Sequence, residues 1–158
     1  MPATLAEKVE DFLSQERIAV AGVSRSGKAT GNAIYKRLRD RGYEVILVNP
    51  NADEIEGETC YRNVKAIPGK VDGVIAVTRP ADTEQIVRDC AEAGIRRVWM
   101  HHGIHGGGTS VSEAAVQYCN QHNITVITGV CPLMFGKPSD GFHRLIKRWY
   151  QFTKQLPN

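Results

Sequence analysis

Nothing in this chain is apolar for long. Its hydrophobic runs, such as IAVAGV at 18–23 and VIAV at 74–77, are strand-sized, far short of the ~20 residues that a membrane helix needs. The opening MPATLAEKVEDF carries acids where a secretory leader carries an apolar segment, so no membrane span and no signal peptide are expected, and the chain reads as cytoplasmic. Metal-type cysteine spacing is missing as well. Cys60, Cys90, Cys119 and Cys131 stand far apart with no C-x-x-C, which argues against a zinc site and against a disulfide framework. Charge of one sign is also scarce. Twenty basic residues against 17 acidic ones leave a net charge of +3, and the two signs alternate until the C-terminal segment, so no nucleic-acid footprint is expected. What is present, 158 residues with 42% hydrophobic content, suits one domain over 1–158 with a core of its own.

Strand and helix patterns alternate along the chain. Thr4-x-x-Glu7 is a capping box for a helix within 1–17, with Leu5, Val9, Phe12 and Leu13 on its inner face. Strands are expected at 18–23, 44–48, 71–77, 97–100 and 124–128. Between them lie helices at 30–41, stopped by Gly42, and at 80–94, opened by Pro80 and ended by Gly94. A further helix at 110–120 starts on the capping-box pattern Ser110-x-x-Glu113. Strands apolar throughout are those buried on both faces. The expected architecture is therefore a single-domain, doubly wound, Rossmann-like α/β fold of about five parallel strands with helices on both faces. In such a sheet the ligand crevice opens at the strands' carboxyl ends, where strand order reverses. All candidate site segments follow strands: GVSRSGK, VNPN, VTRP, HHGIHGG and GVCP.

The first of these is one residue away from two phosphate-binding loops. Gly22 to Lys28 match G-x-x-x-x-G-K-[ST], but Ala29 stands where a hydroxyl must hold magnesium, which argues against nucleotide hydrolysis. Gly22 and Gly27 match G-x-G-x-x-G, but Ser24 replaces the middle glycine, and the second strand ends in Asn49-Pro50-Asn51 rather than in the acid that holds an NAD ribose. A more general reading survives. A turn and a helix start can hold an anion on backbone N–H groups and the helix dipole, with Arg25 and Lys28 adding charge.

The order of motifs IAVAGVSRSGKATGNAIYKRL, GYEVILVNPN, GETCYRNVKAIP, VDGVIAVTRP, AGIRRVWMHHGIH and GVCPLMF resembles the small single-domain coenzyme A-binding proteins, which share their fold with the coenzyme A-binding domain of succinyl-CoA synthetase. The resemblance spans about 18–135. It implies coenzyme A or an acyl-CoA as ligand, with phosphates and adenosine received at Gly22, Ser24, Arg25 and Lys28. Asn49 and Pro50 would border adenine and ribose, and Thr78, Arg79 and Pro80 the pantetheine. Gly103-Ile104 and Cys131-Pro132 are the turns after the fourth and fifth strands. The synthetases carry their phosphorylated histidine in a second domain without a counterpart in this sequence, so the resemblance implies binding rather than ligation by this chain alone. The alternatives are an NAD(P)-dependent oxidoreductase or one subunit of a two-chain acyl-CoA ligase.

Other groups fit packing better than chemistry. His101, His102 and His105 invite a metal reading, but neighbours on a strand point to opposite faces and no acid or thiol stands at ligand spacing, so no metal is expected. Neither Ser24 nor Ser26 has the spacing of a nucleophile elbow, and no catalytic residue is assigned. Cys131 is the best-placed thiol for reaction with a ligand thiol, although burial as a packing residue fits it better. Finally, Phe142, Leu145, Ile146 and Trp149 give 139–154 an amphipathic helical pattern, for docking on the sheet or on the second subunit of a homodimer.

Overall fold

A computed structural model describes residues 3–103 and 108–134. Helix α1 (Leu5–Leu13) precedes β1 (Arg17–Ala21), α2 (Thr30–Asp40) and β2 (Glu44–Val48). A short hairpin, β3 (Glu54–Ile55) and β4 (Glu58–Tyr61), leads through a 3-10 turn at Val64–Ala66 to β5 (Gly73–Ala76). Then come α3 (Pro80–Ala93), β6 (Arg97–Met100), α4 (Glu113–Gln121) and β7 (Thr125–Ile127), with a 3-10 turn at Pro132–Met134. The sheet has seven strands in the order β3-β4-β2-β1-β5-β6-β7. All pairs are parallel except β3 with β4. Strand order therefore reverses between β1 and β5, and the crevice expected of a doubly wound sheet lies there.

The core divides by sheet face. Val20, Leu47, Ile75 and Trp99 meet α1 and α2 through Val9, Phe12, Ile34 and Leu38. Ala21, Val48, Val74 and Met100 meet α3 and α4 through Val87, Cys90, Ala115 and Cys119. Trp99 packs edge-on to Phe12, with ring centres 5.4 Å apart, and its indole N–H donates to the Val130 carbonyl at 3.0 Å. That bond pins the segment after β7 to the sheet.

Two strands more than expected are present, because β3 and β4 are short, charged and joined by Glu56-Gly57. Both turn residues have positive φ, 52° and 81°, the backbone of a two-residue hairpin turn whose usual signal is Asn-Gly or Asp-Gly. The capping box at Thr4 and Glu7 forms, but Leu5 lies 42% exposed instead of facing inward. Helix α4 starts later than expected. Its N-cap is Ser112, whose hydroxyl accepts from Ala115 N–H, while Ser110 Oγ accepts the Thr78 N–H at 2.9 Å. The expected helix at 139–154 falls outside the described residues. Among the described residues no helix is long and apolar enough to cross a membrane.

Two phenols link the helices to the strands. Tyr35 donates to Glu56, and Tyr43 donates to the Leu13 carbonyl. Burial, joined at Tyr35 by the Glu56 carboxylate, pushes both up to about 12. A phenol that holds its proton more tightly when folded stabilises the fold below pH 10, and that contribution is lost as pH rises from 10 through 12. The loss is at most about 1.4 kcal/mol per pH unit per tyrosine. Urea midpoints at pH 9 and pH 11 should show this fall, flattened in Tyr35→Phe with Tyr43→Phe. An unchanged slope in the double variant would count against these tyrosines as its source.

Candidate functional site

The loop after β1 is built on close backbone approaches. Gly22 has φ +98°, and a Cβ there would meet the Val77 carbonyl oxygen at 2.0 Å. A Cβ on Gly31, in the first turn of α2, would lie 2.6 Å from the Gly22 carbonyl oxygen. The two glycines bring β1, β5 and α2 together at the switch point. Asn32, fully buried, then clamps the loop: its Oδ1 accepts from Ser24 N–H at 2.7 Å and its Nδ2 donates to the Ser24 carbonyl at 2.9 Å. Sequence reading missed both Gly31 and Asn32, although the Thr-Gly-Asn that opens α2 was the available signal.

Most amides of this loop are already engaged. Ser24 N–H goes to Asn32, Ser26 N–H to Ser24 Oγ, Gly27 N–H to the Ser24 carbonyl and Lys28 N–H to Ser26 Oγ. The contacts to serine hydroxyls are long, 3.2 and 3.3 Å, so a phosphate oxygen could displace them. Helix α2 has no side-chain cap and no acid in its first turn, which leaves its positive end open. Arg25 and Lys28 are exposed and have no ion-pair partner among the described residues. One carboxylate, Glu56, lies against the loop, 2.6 Å from where a Cβ on Gly27 would stand. Hydrogen bonds from Tyr35 and Lys36 hold its carboxyl below the usual range.

The end of β2 is a structural tie. Asn49 Nδ2 donates to the Val23 carbonyl at 2.8 Å, and Oδ1 accepts from Asn51 N–H at 2.7 Å. An aspartate could not make the first of these bonds, which gives a physical reason for an amide where an NAD site has an acid. Thr78, after β5, is held through its N–H by Ser110 and through its hydroxyl by Thr83 at 2.8 Å.

A cleft of about 750 Å³ opens across these strand ends on the α3 side of the sheet. Of the residues expected at the site, Gly22, Asn49, Pro50, Thr78 and Arg79 line it. Ser24, Arg25, Lys28, Pro80, Gly103, Cys131 and Pro132 do not, and Ile104 falls outside the described residues. The far wall comes from the segment after β4 and from α3, with Arg62, Asn63, Val64, Lys65, Asp82, Gln85, Ile86 and Asp89. Arg62 to Lys65 escaped sequence reading because β4, the strand that positions them, did, whereas those of α3 lie on an expected helix whose cleft-facing side only the packed sheet defines. Three cations face the cleft, each with an exposed ion pair: Arg62 with Asp53 at 3.1 Å, Arg79 with Asp82 at 2.9 Å, and Lys65 with Glu92 at 3.0 Å, Lys65 also standing 3.6 Å from the buried Asp89. Such pairs are weak, so an incoming phosphate can compete for these cations.

The sequence pattern of the CoA binding domain matches residues 16–137. The chain belongs to this CoA-binding domain family. It is 31% identical over 126 residues to the uncharacterized protein YneT of Bacillus subtilis, covering 80% of this chain and 89% of that protein. It is 35% identical over 88 residues to the alpha subunit of the ADP-forming acetate–CoA ligase II of Pyrococcus furiosus, a match over 55% of this chain that spans 19% of that subunit's length. A solved structure, a conserved hypothetical protein from Pyrococcus furiosus, superposes with a TM-score of 0.68 at 33% identity, over 76% of this chain and 98% of the other.

In this CoA-binding domain the nucleophile candidates are protected. All four cysteines are buried and free, and burial pushes their thiols up, Cys119 to about 12. For Cys131 the Leu133 backbone N–H opposes part of that rise. His101 is buried, and desolvation together with His102 lowers its pKa, while His102 itself is exposed beside the bridge to Thr109. The two rings therefore differ in environment, both standing beyond the end of β6, and His105 falls outside the described residues. Among the described residues no group of three His, Cys, Asp or Glu could hold a metal ion.

Proposed function

We propose that the cleft binds coenzyme A, free or as an acyl thioester, and that this chain acts as a binding module. One observation carries the reading. A cleft of mixed apolar and polar lining crosses the switch point between β1 and β5, with Arg62, Lys65 and Arg79 in it, and its edge at Gly22 leads into the loop that bears Arg25 and Lys28. Coenzyme A carries a 3′-phosphate as well as a diphosphate, so it needs more cations than an NAD site, and it needs no acid for a ribose diol. Arg25 and Lys28 are the cations with charge to spare. Gly22, Ser24, Arg25 and Lys28 then serve the phosphates, Asn49 and Pro50 the nucleoside, and Thr78, Arg79 and Pro80 the pantetheine arm. On the same reading Gly103, Cys131 and Pro132 serve its far end, and Ile104 lies outside the described residues. Likeness to the acetate–CoA ligase subunit supports a second reading, in which the chain supplies the coenzyme A site of an acyl-CoA ligase assembled with a partner chain.

A ligand at 100 times its Kd stabilises the folded state by about 2.7 kcal/mol, or roughly 5–10 °C of Tm for a domain of this size. Coenzyme A should give that shift, while NAD, NADP and ATP give less. Arg25→Ala and Lys28→Ala should each weaken coenzyme A by about tenfold or more, because hydrogen bonds to charged groups contribute about 1.5–3 kcal/mol. If either cation faces the 3′-phosphate, its variant will bind coenzyme A and 3′-dephospho-coenzyme A alike, whereas the parent prefers the former. An equal or larger shift with NAD would overturn the ligand assignment.

A further inference from the structure

Two carboxylates line the cleft, Asp82 paired with Arg79 and Asp89 set deeper, and the second has no use in phosphate binding. Asp89, on the third turn of α3, lines the cleft beside Ile86 with its side chain only 9% exposed. Both of its recorded contacts are made by one oxygen. Gln85 Nε2 donates to Oδ1 at 3.0 Å, and Lys65 Nζ stands 3.6 Å from the same atom. Oδ2 has no hydrogen-bond partner among the described residues. The side chain is largely shielded by protein and paired through Oδ1, which leaves Oδ2 available on the cleft side to accept from a ligand donor. Phosphate cannot supply one, since it brings acceptors and negative charge.

The surroundings define the donor. Ile86 and Val64 offer apolar surface to a flat ring, while Lys65 Nζ and Gln85 Nε2 place donors beside the acceptor. An acceptor next to a donor matches the edge of adenine, which presents its 6-amino group next to the ring acceptor N1. Guanine would present N1–H and its 2-amino group together and engage both carboxylate oxygens, but Oδ1 is already taken. We propose that Asp89 reads the base, its Oδ2 accepting from the 6-amino group of the bound adenine nucleotide, so that the cleft rejects 6-oxo purines. This assignment rests on the coenzyme A reading above.

Calorimetry on the full chain with coenzyme A and with its 6-oxo (hypoxanthine) analogue tests it. The parent should prefer coenzyme A by about tenfold or more, the effect of opposing a buried carboxylate with a carbonyl oxygen. Asp89→Asn retains an acceptor for Gln85 and gains an amide donor for the oxo group, so it should erase or reverse that preference. Equal affinity of the parent for both ligands would overturn the role of Asp89 while leaving coenzyme A binding intact. A variant that weakens both ligands in the same proportion would also overturn it, since Asp89 would then only hold Lys65 and Gln85 in place. A parent that binds neither would overturn this assignment and the proposed function together. If the variant fails to fold, the preference of the parent alone decides the matter.

Discussion

Gly22→Ala should remove a large part of the stability of this protein, while Gly42→Ala, at nearly the same φ, should cost much less. The two glycines have φ of +98° and +94°, so an alanine pays a similar backbone penalty at either, about 1–2 kcal/mol. They differ in what a methyl group meets. Nothing lies within 4 Å at Gly42, whereas at Gly22 the Val77 carbonyl oxygen stands 2.0 Å away and its carbon 2.6 Å. That carbonyl cannot retreat, because Val77 N–H is bonded to the Ala21 carbonyl at 2.9 Å and β5 lies deep in the sheet. Relief would have to come from prising β1 away from β5, at a cost of roughly 1–3 kcal/mol or more beyond the backbone term. For a fold stabilised by about 5–15 kcal/mol the sum is large. Urea denaturation should show a midpoint for Gly22→Ala far below that of Gly42→Ala, or a protein that is insoluble. Equal midpoints would mean that the approach of β1 to β5 is not as close as the geometry states.

Asn49→Asp should damage the site without creating an NAD site. In a dinucleotide-binding fold an acid at this strand end receives the ribose hydroxyls, so the substitution is the obvious route to altered cofactor choice. Here the side chain is already engaged at both ends, by the Val23 carbonyl and by Asn51 N–H. Aspartate would set a carboxylate against the Val23 carbonyl, lose the 2.8 Å bond and leave an acceptor without a donor, at about 1–3 kcal/mol. Val23 leads directly into Ser24 and Arg25, so the loop after β1 should lose its anchor to β2. The expected result is a lower Tm, coenzyme A affinity reduced about tenfold or more, and no calorimetric signal with NAD. Tight NAD binding by a variant that melts like the parent would show that Asn49 is a specificity residue and not a tie.

Much of this protein can be read from its sequence because the relevant physics is local. Five strands buried on both faces announce themselves as apolar runs, and the stop at Gly42, the start at Pro80 and the end at Gly94 follow from the backbone preferences of those residues. The five segments that follow the strands were legible for the same reason, and with them Gly22, Asn49, Thr78 and Arg79. Tertiary structure decided the rest. Strands β3 and β4 carry too little apolar pattern to be seen alone; they exist because β4 pairs with the exposed edge of β2 at Leu47 and Val48. Ser110 follows a capping pattern, yet its hydroxyl bonds Thr78 across 32 positions, a partner that only the packed sheet supplies. Arg62, Lys65 and Asp89 come from segments far apart in the chain and share one cleft because β4 and α3 flank the switch point. Composition and periodicity determine which stretches become strands and helices, since those depend on neighbours in the chain. Which side chains face a common ligand depends on strand order, and strand order is set by contacts between residues that no local pattern relates.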